Sequence, residues 1–350
     1  MRNPHFSLIV TAVICHSLPA TAQNNSGFPE WAMGPFIKLD QPVLSPTSES
    51  VFDCPVEKKS VQWEKQNVYN PAVVVRDGKV HLLYRADDGP KDTPWGRTCR
   101  IGLAWSGDGR KFTRLGRPVL FPDEDACKPY EWEGGCEDLH IVEDESGTYY
   151  MTYTAWNGKR DSLLVATSKD LVYWTKHGPA FAKLAPERVF GTRSGVVVTR
   201  REGDRLIAQK INGKYLMMVS HTCELAESDN LIDWKPLGKA VWKDSAPGRF
   251  DSGSHEAGAI ALERPDGILL FYNGGNGGWA LGQALVSRPD CTMVLQRLEE
   301  PFIKPEFDWE KNGFIANACV ANGMVPFKGE WLLYYGAADH QIGLAVCKEE

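Results

Sequence analysis

One phrase recurs five times along the 350 residues: a polar or acidic residue, an apolar run, a glycine-containing turn, then an aromatic-rich strand. The copies are Asn70–Ala86, Asp138–Ala155, Ser194–His221, Glu256–Gly274 and Asn322–Ala338, with turn glycines Gly78, Gly147, Gly213, Gly267 and Gly329. No helical apolar period separates the strands, so each copy is a small sheet that buries its faces only by stacking on its neighbours. The repeat predicts an all-β chain, a five-bladed β-propeller.

Four copies continue into a further strand of similar wording, at Phe112-Thr-Arg-Leu-Gly-Arg-Pro, Trp174-Thr-Lys-His-Gly-Pro, Trp234-Lys-Pro-Leu-Gly and Leu295-Gln-Arg-Leu-Glu-Glu-Pro. The fifth stops at Ile342-Gly-Leu-Ala-Val-Cys347, with no room for one. Phe36–Leu44 has the missing wording. Because an unpaired sheet edge invites aggregation, the ring is expected to close by placing Phe36–Leu44 as the outer strand of the last blade.

With 43% hydrophobic residues and no Pro/Gly/Ser-rich linker, residues 23–350 read as a single domain. Residues 1–22 differ. Arg2 precedes the apolar stretch Phe6–Cys15, and Ala20-Thr21-Ala22 is a small-residue cleavage signal, which predicts a secretory signal peptide and a periplasmic or extracellular protein with no membrane span. The formal net charge of −6 becomes one unit more negative without Arg2, so nucleic acid is not an expected partner.

Eight cysteines follow the leader, an even number that permits disulfides without fixing any pairing; mostly free buried thiols are an equally good reading. No Cys or His spacing suggests a metal, and no cofactor is expected.

Strands that converge on a propeller axis present their leading residues to its mouth. Those residues are Asn70, Glu137-Asp138, Arg193-Ser194, His255-Glu256 and Asn322. Carboxylates from different blades facing one cavity are what glycoside hydrolysis requires: one gives a proton to the leaving oxygen and the other activates water. Trp156, Trp279 and Tyr335 are candidates to stack on a sugar face.

Glu133-Gly-Gly-Cys-Glu-Asp138, Asn70-Pro71, Leu83-Tyr-Arg-Ala-Asp87, the Ser106-to-Phe112 turn and Tyr334-Tyr-Gly-Ala-Ala-Asp339 together resemble glycoside hydrolase family 130. The resemblance implies a five-bladed propeller acting on β-mannosides, as an inverting phosphorylase or an inverting hydrolase. It implies Asp138 as general acid, its proton passing through a hydroxyl of the bound mannose, and Glu256 as general base. Glu224 is a looser second candidate for the base apparatus. Asn70, Arg85 and Asp339 are expected to hold the terminal sugar, with Asp87, His140, Arg193, His255 and Trp279 as further substrate-binding candidates.

Family phosphorylases usually carry Glu-Asp-Pro-Arg where this chain has Glu137-Asp138-Leu139-His140. The missing arginine removes a bidentate phosphate ligand, and Glu256 would repel a phosphate but can draw a proton from water. The expected function is therefore an exported inverting hydrolase of β-mannosides, with β-1,2 linkages and exo attack expected. A phosphorylase releasing mannose 1-phosphate and a non-catalytic carbohydrate-binding propeller are the alternatives.

Each assignment has a plainer rival. Asp138 could cap backbone amides, His255-Glu256 could lie on a solvated loop, and Glu224 could simply face solvent. Arg85 could pair with Asp87 or Asp88, and Asp339 could be a turn residue.

Overall fold

The computed structural model describes residues 28–91, 96–242 and 247–349; the expected leader lies outside them. Among the described residues the chain is all-β, with two four-residue α-helices, Lys128–Glu131 and Asp308–Lys311, and one short 3₁₀ turn. No described helix is long and apolar enough to cross a membrane.

Each sequence repeat forms an antiparallel set. The first set contains Asn67–Arg76, Lys79–Asp87, Arg100–Ser106 and Thr113–Arg114; the second contains Gly135–Glu143, Tyr149–Trp156, Asp161–Ser168 and Thr175–Pro179. The third contains Gly195–Glu202, Lys214–Val219, Glu224–Ser228 and Lys235–Ala240, with a short inserted pair at Arg205–Ala208 and Lys210–Ile211. Ser254–Arg264, Gly267–Gly275, Trp279–Val286 and Val294–Arg297 make the fourth. The fifth has Cys319–Phe327, Glu330–Ala337 and Gln341–Lys348.

As expected, its outer strand comes from the N-terminal region. Ile37 and Lys38 pair with Val346 and Ala345, and the pairing continues irregularly to Leu44, which bridges Ile342. The middle three sets are joined by short parallel pairs, Val198 with Ala261 and Ile207 with Glu143.

The first strands lie beside one another in chain order, and that of the fifth set lies beside that of the first. One apolar core fills each gap between successive sets, represented by Leu83 with Met151, Leu163 with Met217, Val198 with Leu270, Leu269 with Leu333, and Val80 with Leu332. The last of these joins the fifth set back to the first. On the axis, the first strands enclose a cavity of about 30 Å³ lined by Val74, His140, Val196, Ile260 and Met324.

A buried polar cluster recurs in four sets. An acid just before the first strand accepts from a tyrosine on the second and meets a cation on the fourth: Glu64 with Tyr84 and Arg114, Glu131 with Tyr153 and Lys176, Asp251 with Tyr272 and Arg297, and Glu310 with Tyr335 and Lys38. Lys38 thus does for the fifth set what the fourth strand's own cation does elsewhere.

All eight described cysteines are buried and free. Packing rather than cross-linking therefore carries the fold.

Candidate active site

The site is built where the first strands start, and a local backbone distortion makes it. In the first two sets the register slips just after the strand begins, between Tyr69 and Ala72 and between Glu137 and His140. Asn70 and Asp138 sit at those slips with φ of 46° and 42°, and Ser194 takes 42° at the start of the third set. Non-glycine residues adopt this left-handed backbone only where the surroundings enforce it, and such residues cluster at functional sites. Here the left-handed backbone turns three polar side chains from three sets into one place.

Close backbone approach needs two glycines of the sequence motifs. A Cβ on Gly135 would lie 2.1 Å from Cys99 O, and Gly135 also has φ of 102°. A Cβ on Gly336 would lie 2.3 Å from Asn70 Oδ1. These glycines let the first set seat against the second and the fifth, which puts Asn70 and Asp138 side by side.

Asp138 is the centre of the network. Its Oδ1 accepts from Asn70 Nδ2 at 2.9 Å and from Arg85 Nη1 at 3.0 Å, while Oδ2 accepts from Arg193 Nη2 at 2.7 Å. Arg85 turns its other terminal nitrogen to Glu137 Oε1 at 2.9 Å and its Nε to Cys99 Sγ at 3.2 Å. Arg193 also reaches the second carboxylate, Nε lying 3.4 Å from Glu256 Oε1, which accepts a short hydrogen bond from Ser194 Oγ as well. Asp138 and Glu256 therefore face one space, spanned by a single guanidinium.

Burial favours the neutral form of Asp138, but the guanidiniums of Arg85 and Arg193 and the Asn70 bond outweigh it and hold the carboxyl well below the usual range. Glu137 moves the other way, raised chiefly by burial and further by Asp138. Asp339 is raised to about 7, first by burial and then by the charges of Asp138, Glu137 and Glu256, which Arg85 only partly offsets. Asp339 is thus the carboxyl that changes charge near neutral pH. The raised value also records a local surplus of negative charge.

The sequence-derived candidates divide accordingly. Asn70, Arg85, Asp138, Arg193 and Glu256 come together in direct contact, and Asp339 couples to them electrostatically. Arg85 does not pair with Asp87 or Asp88; it points at the acidic motif.

The other candidates lie outside that contact network. Asp87 is fully buried and spent on Asn67 Nδ2, the Gly89 amide and Arg97, so it supports the strand rather than offering itself to a sugar. His140 turns to the axis, where its Nε2 lies 2.9 Å from Gly258 O, and burial pushes it down to about 4, leaving it neutral. His255 stacks on Trp242 at 4.6 Å, with its Nε2 3.5 Å from Asp251 Oδ2. Glu224 gives both carboxylate oxygens to Arg188 and contacts neither Asp138 nor Arg193. Tyr335 is fully buried with its hydroxyl on Glu310, whereas Trp279 stays partly exposed at the head of its strand.

Two residues had no role in the sequence reading. Ser194 holds Glu256, and Cys99, whose thiol burial raises to about 12, lies neutral beneath Arg85. Only the position of Ser194 at a repeat start gave a signal. Among the described residues, no group of His, Cys, Asp and Glu is arranged to hold a metal ion.

A family model described as beta-1,4-mannooligosaccharide phosphorylase, that of glycoside hydrolase family 130, matches residues 38–350. The chain belongs to glycoside hydrolase family 130. Within this family, a 1,2-beta-oligomannan phosphorylase of Thermoanaerobacter sp. (strain X514) is 32% identical over 88% of this chain and 95% of its own length. A solved glycosyl hydrolase from Bacteroides ovatus is 39% identical with a TM-score of 0.87, covering 92% of this chain and 98% of that one. Another solved family 130 structure is 38% identical with a TM-score of 0.87, covering 91% and 95%. It is described under the statement that the family of mannoside phosphorylases contains glycoside hydrolases that target beta-1,2 mannosidic linkages in Candida mannan.

Proposed function

We propose that this chain is a five-bladed propeller, closed by its N-terminal strand, that cleaves β-1,2-mannosides by single displacement with inversion, water being the acceptor. The observation that carries this reading is the pairing of Asp138 and Glu256 across Arg193, two carboxylates of different sets facing one space. Glu256, oriented by Ser194, takes a proton from the attacking water. Asp138 is held as a carboxylate before substrate binds, so it cannot deliver a proton directly in that state. When a mannose hydroxyl inserts between Asp138 and Arg193 and loosens the guanidinium contact, Asp138 takes up a proton from solvent and passes it to that hydroxyl as the hydroxyl gives its own proton to the glycosidic oxygen, which leaves Asp138 ionised again.

Two guanidiniums face four carboxyl groups here: Arg85 and Arg193 against Glu137, Asp138, Glu256 and Asp339. Such a surplus opposes a phosphate dianion and suits water. Phosphorolysis is the second reading, and the names of the curated relatives favour it, since relatives 32% and 31% identical are called 1,2-beta-oligomannan phosphorylase and Beta-1,2-mannobiose phosphorylase. In that reading Arg193 releases a carboxylate to hold phosphate. The leader-like residues 1–22 add export to the proposal and argue for hydrolysis, because a sugar phosphate formed outside the cytoplasm is less readily used.

Incubation with β-1,2-mannobiose, with and without phosphate, followed by NMR of the anomeric proton, separates these. Free α-mannose in both buffers supports hydrolysis. α-Mannose 1-phosphate formed only with phosphate establishes the second reading, and no product leaves a binding protein.

A further inference from the structure

One stretch of the rim beside Asp339 is apolar and outward-facing. The segment after the helix Asp308–Lys311 runs along the turn that carries Asp339: Ile315 N–H donates to Ala338 O at 3.0 Å, and a Cβ on Gly313 would lie 2.4 Å from the same carbonyl. The segment then meets the fourth set, where Trp279 N–H donates to Asn317 O at 3.0 Å. Along this fixed path Phe314 remains 47% exposed and Ile315 38% exposed. Arg97 covers one face of Phe314, its guanidinium 3.5 Å from the ring centre, and is itself tied to buried Asp87 at 3.4 Å.

Singly exposed apolar side chains are ordinary. This pair is different because backbone bonds fix it to the residue that precedes Asp339, and because a cation fixed to the first set pins the aromatic ring. We infer that Phe314, flanked by Ile315 and Trp279, is the wall against which the leaving-group sugar of the substrate packs. The inference rests on the β-mannoside reading of the site.

Asp138, Arg85 and Asp339 gather around the terminal sugar, and Phe314 stands one step outward from Asp339. A pyranose presents a flat C–H face and a polar rim. A stiff aromatic ring supplies apolar area at low entropic cost, on the face that Arg97 leaves open. Specificity for the leaving group is then set by this wall, whereas the acid–base pair fixes the chemistry.

Calorimetric titration of β-1,2-mannotriose and of mannose into the Glu256→Gln protein tests the wall without turnover. Adding Phe314→Ala is expected to weaken mannotriose about five- to tenfold, while mannose, too short to reach the ring, shifts less than twofold. Phe314→Trp is expected to retain mannotriose affinity, and Phe314→Leu, which keeps apolar volume without the flat ring, to lose part of it. An unchanged mannotriose affinity in both Phe314→Ala and Phe314→Leu overturns the inference, as does absence of mannotriose binding to Glu256→Gln. A wild-type protein that binds mannotriose but forms no product from it, with or without phosphate, counts against the proposed reaction and leaves the wall standing.

Discussion

Arg193 donates from Nη2 to Asp138 Oδ2 at 2.7 Å, and the same guanidinium turns its Nε to Glu256 at 3.4 Å. One cation therefore lies against both groups assigned to the chemistry. Replacing it with alanine leaves Asp138 with Arg85 and Asn70 alone, so the Asp138 carboxyl rises toward its ordinary range. Arg193→Ala is expected to move the alkaline limb of the kcat/KM profile, which reports the general acid Asp138, to higher pH and to lower kcat by about 10²-fold. Arg193→Lys keeps the charge but not the span, and should restore one contact only. A pH–rate profile unmoved by either change would remove Arg193 from the machinery.

Asp138→Asn and Glu256→Gln separate the two roles. Each is expected to lower kcat by about 10³-fold or more. With Glu256→Ala, a small anion such as azide that needs no deprotonation can enter on the water's face, giving an α-mannosyl azide from a β-mannoside with an activated leaving group. Azide does not rescue Asp138→Ala, because protonation of the leaving group is the step lost there. Rescue of both variants, or of neither, counts against the division of labour.

Asp339 ties stability to pH. Its folded value of about 7 lies above the ordinary carboxyl value of 3.8, so the folded protein holds the proton more tightly than the unfolded chain. Stability from this group is fully present below the unfolded value and is lost as pH rises through about 7. Asp339→Asn, which mimics the protonated form, should raise Tm at pH 8 relative to wild type and leave it nearly equal at pH 4. Thermal melts at the two pH values check this, and an equal shift at both would contradict the assigned cause.

The ring of sheets was legible because one phrase repeated five times, each copy with its own turn glycine, leaves few packings open, and the missing strand was legible because Phe36–Leu44 copies the wording of the others. The clustering of Asn70, Asp138 and Glu256 was legible for a related reason: a polar side chain at the head of a Val/Ile run has nowhere apolar to go. His140 departs from its expected place because alternation fails at a bulge. Past the slip between Glu137 and His140, side chains no longer follow simple parity, and His140 turns to the axis. Arg85 was ambiguous because sequence neighbours Asp87 and Asp88 offered partners, whereas the fold spends those acids on Asn67, Arg97, Lys91 and Arg100. The acid–tyrosine–cation cluster went unseen although Tyr84, Tyr153, Tyr272 and Tyr335 recur at matching places, since its acids precede the strands at unequal spacing.

That cluster yields the last prediction. In the fifth set the cation is Lys38, supplied from the far end of the chain; its Nζ lies 2.8 Å from Glu310 Oε2, with Tyr335 donating to the same carboxylate at 2.7 Å. Glu310 is fully buried, so deleting Lys38 strands a charge whose remaining partners are the Tyr335 hydroxyl and the amides of Glu306 and Phe307. Lys38→Met should cost about 3 kcal/mol, at the low end for breaking a buried pair because those neutral donors persist. The N-terminal strand would also hold less firmly to Gln341–Lys348, exposing an edge. Urea unfolding is expected to show a lower midpoint, and hydrogen exchange to quicken at Leu39 and Val43, whose amides bond Leu344 and Ile342 across that edge. The double variant Lys38→Met with Glu310→Gln removes the stranded charge and should recover part of the loss. If it is no more stable than Lys38→Met alone, the strand is held by its backbone pairing and the ion pair is incidental.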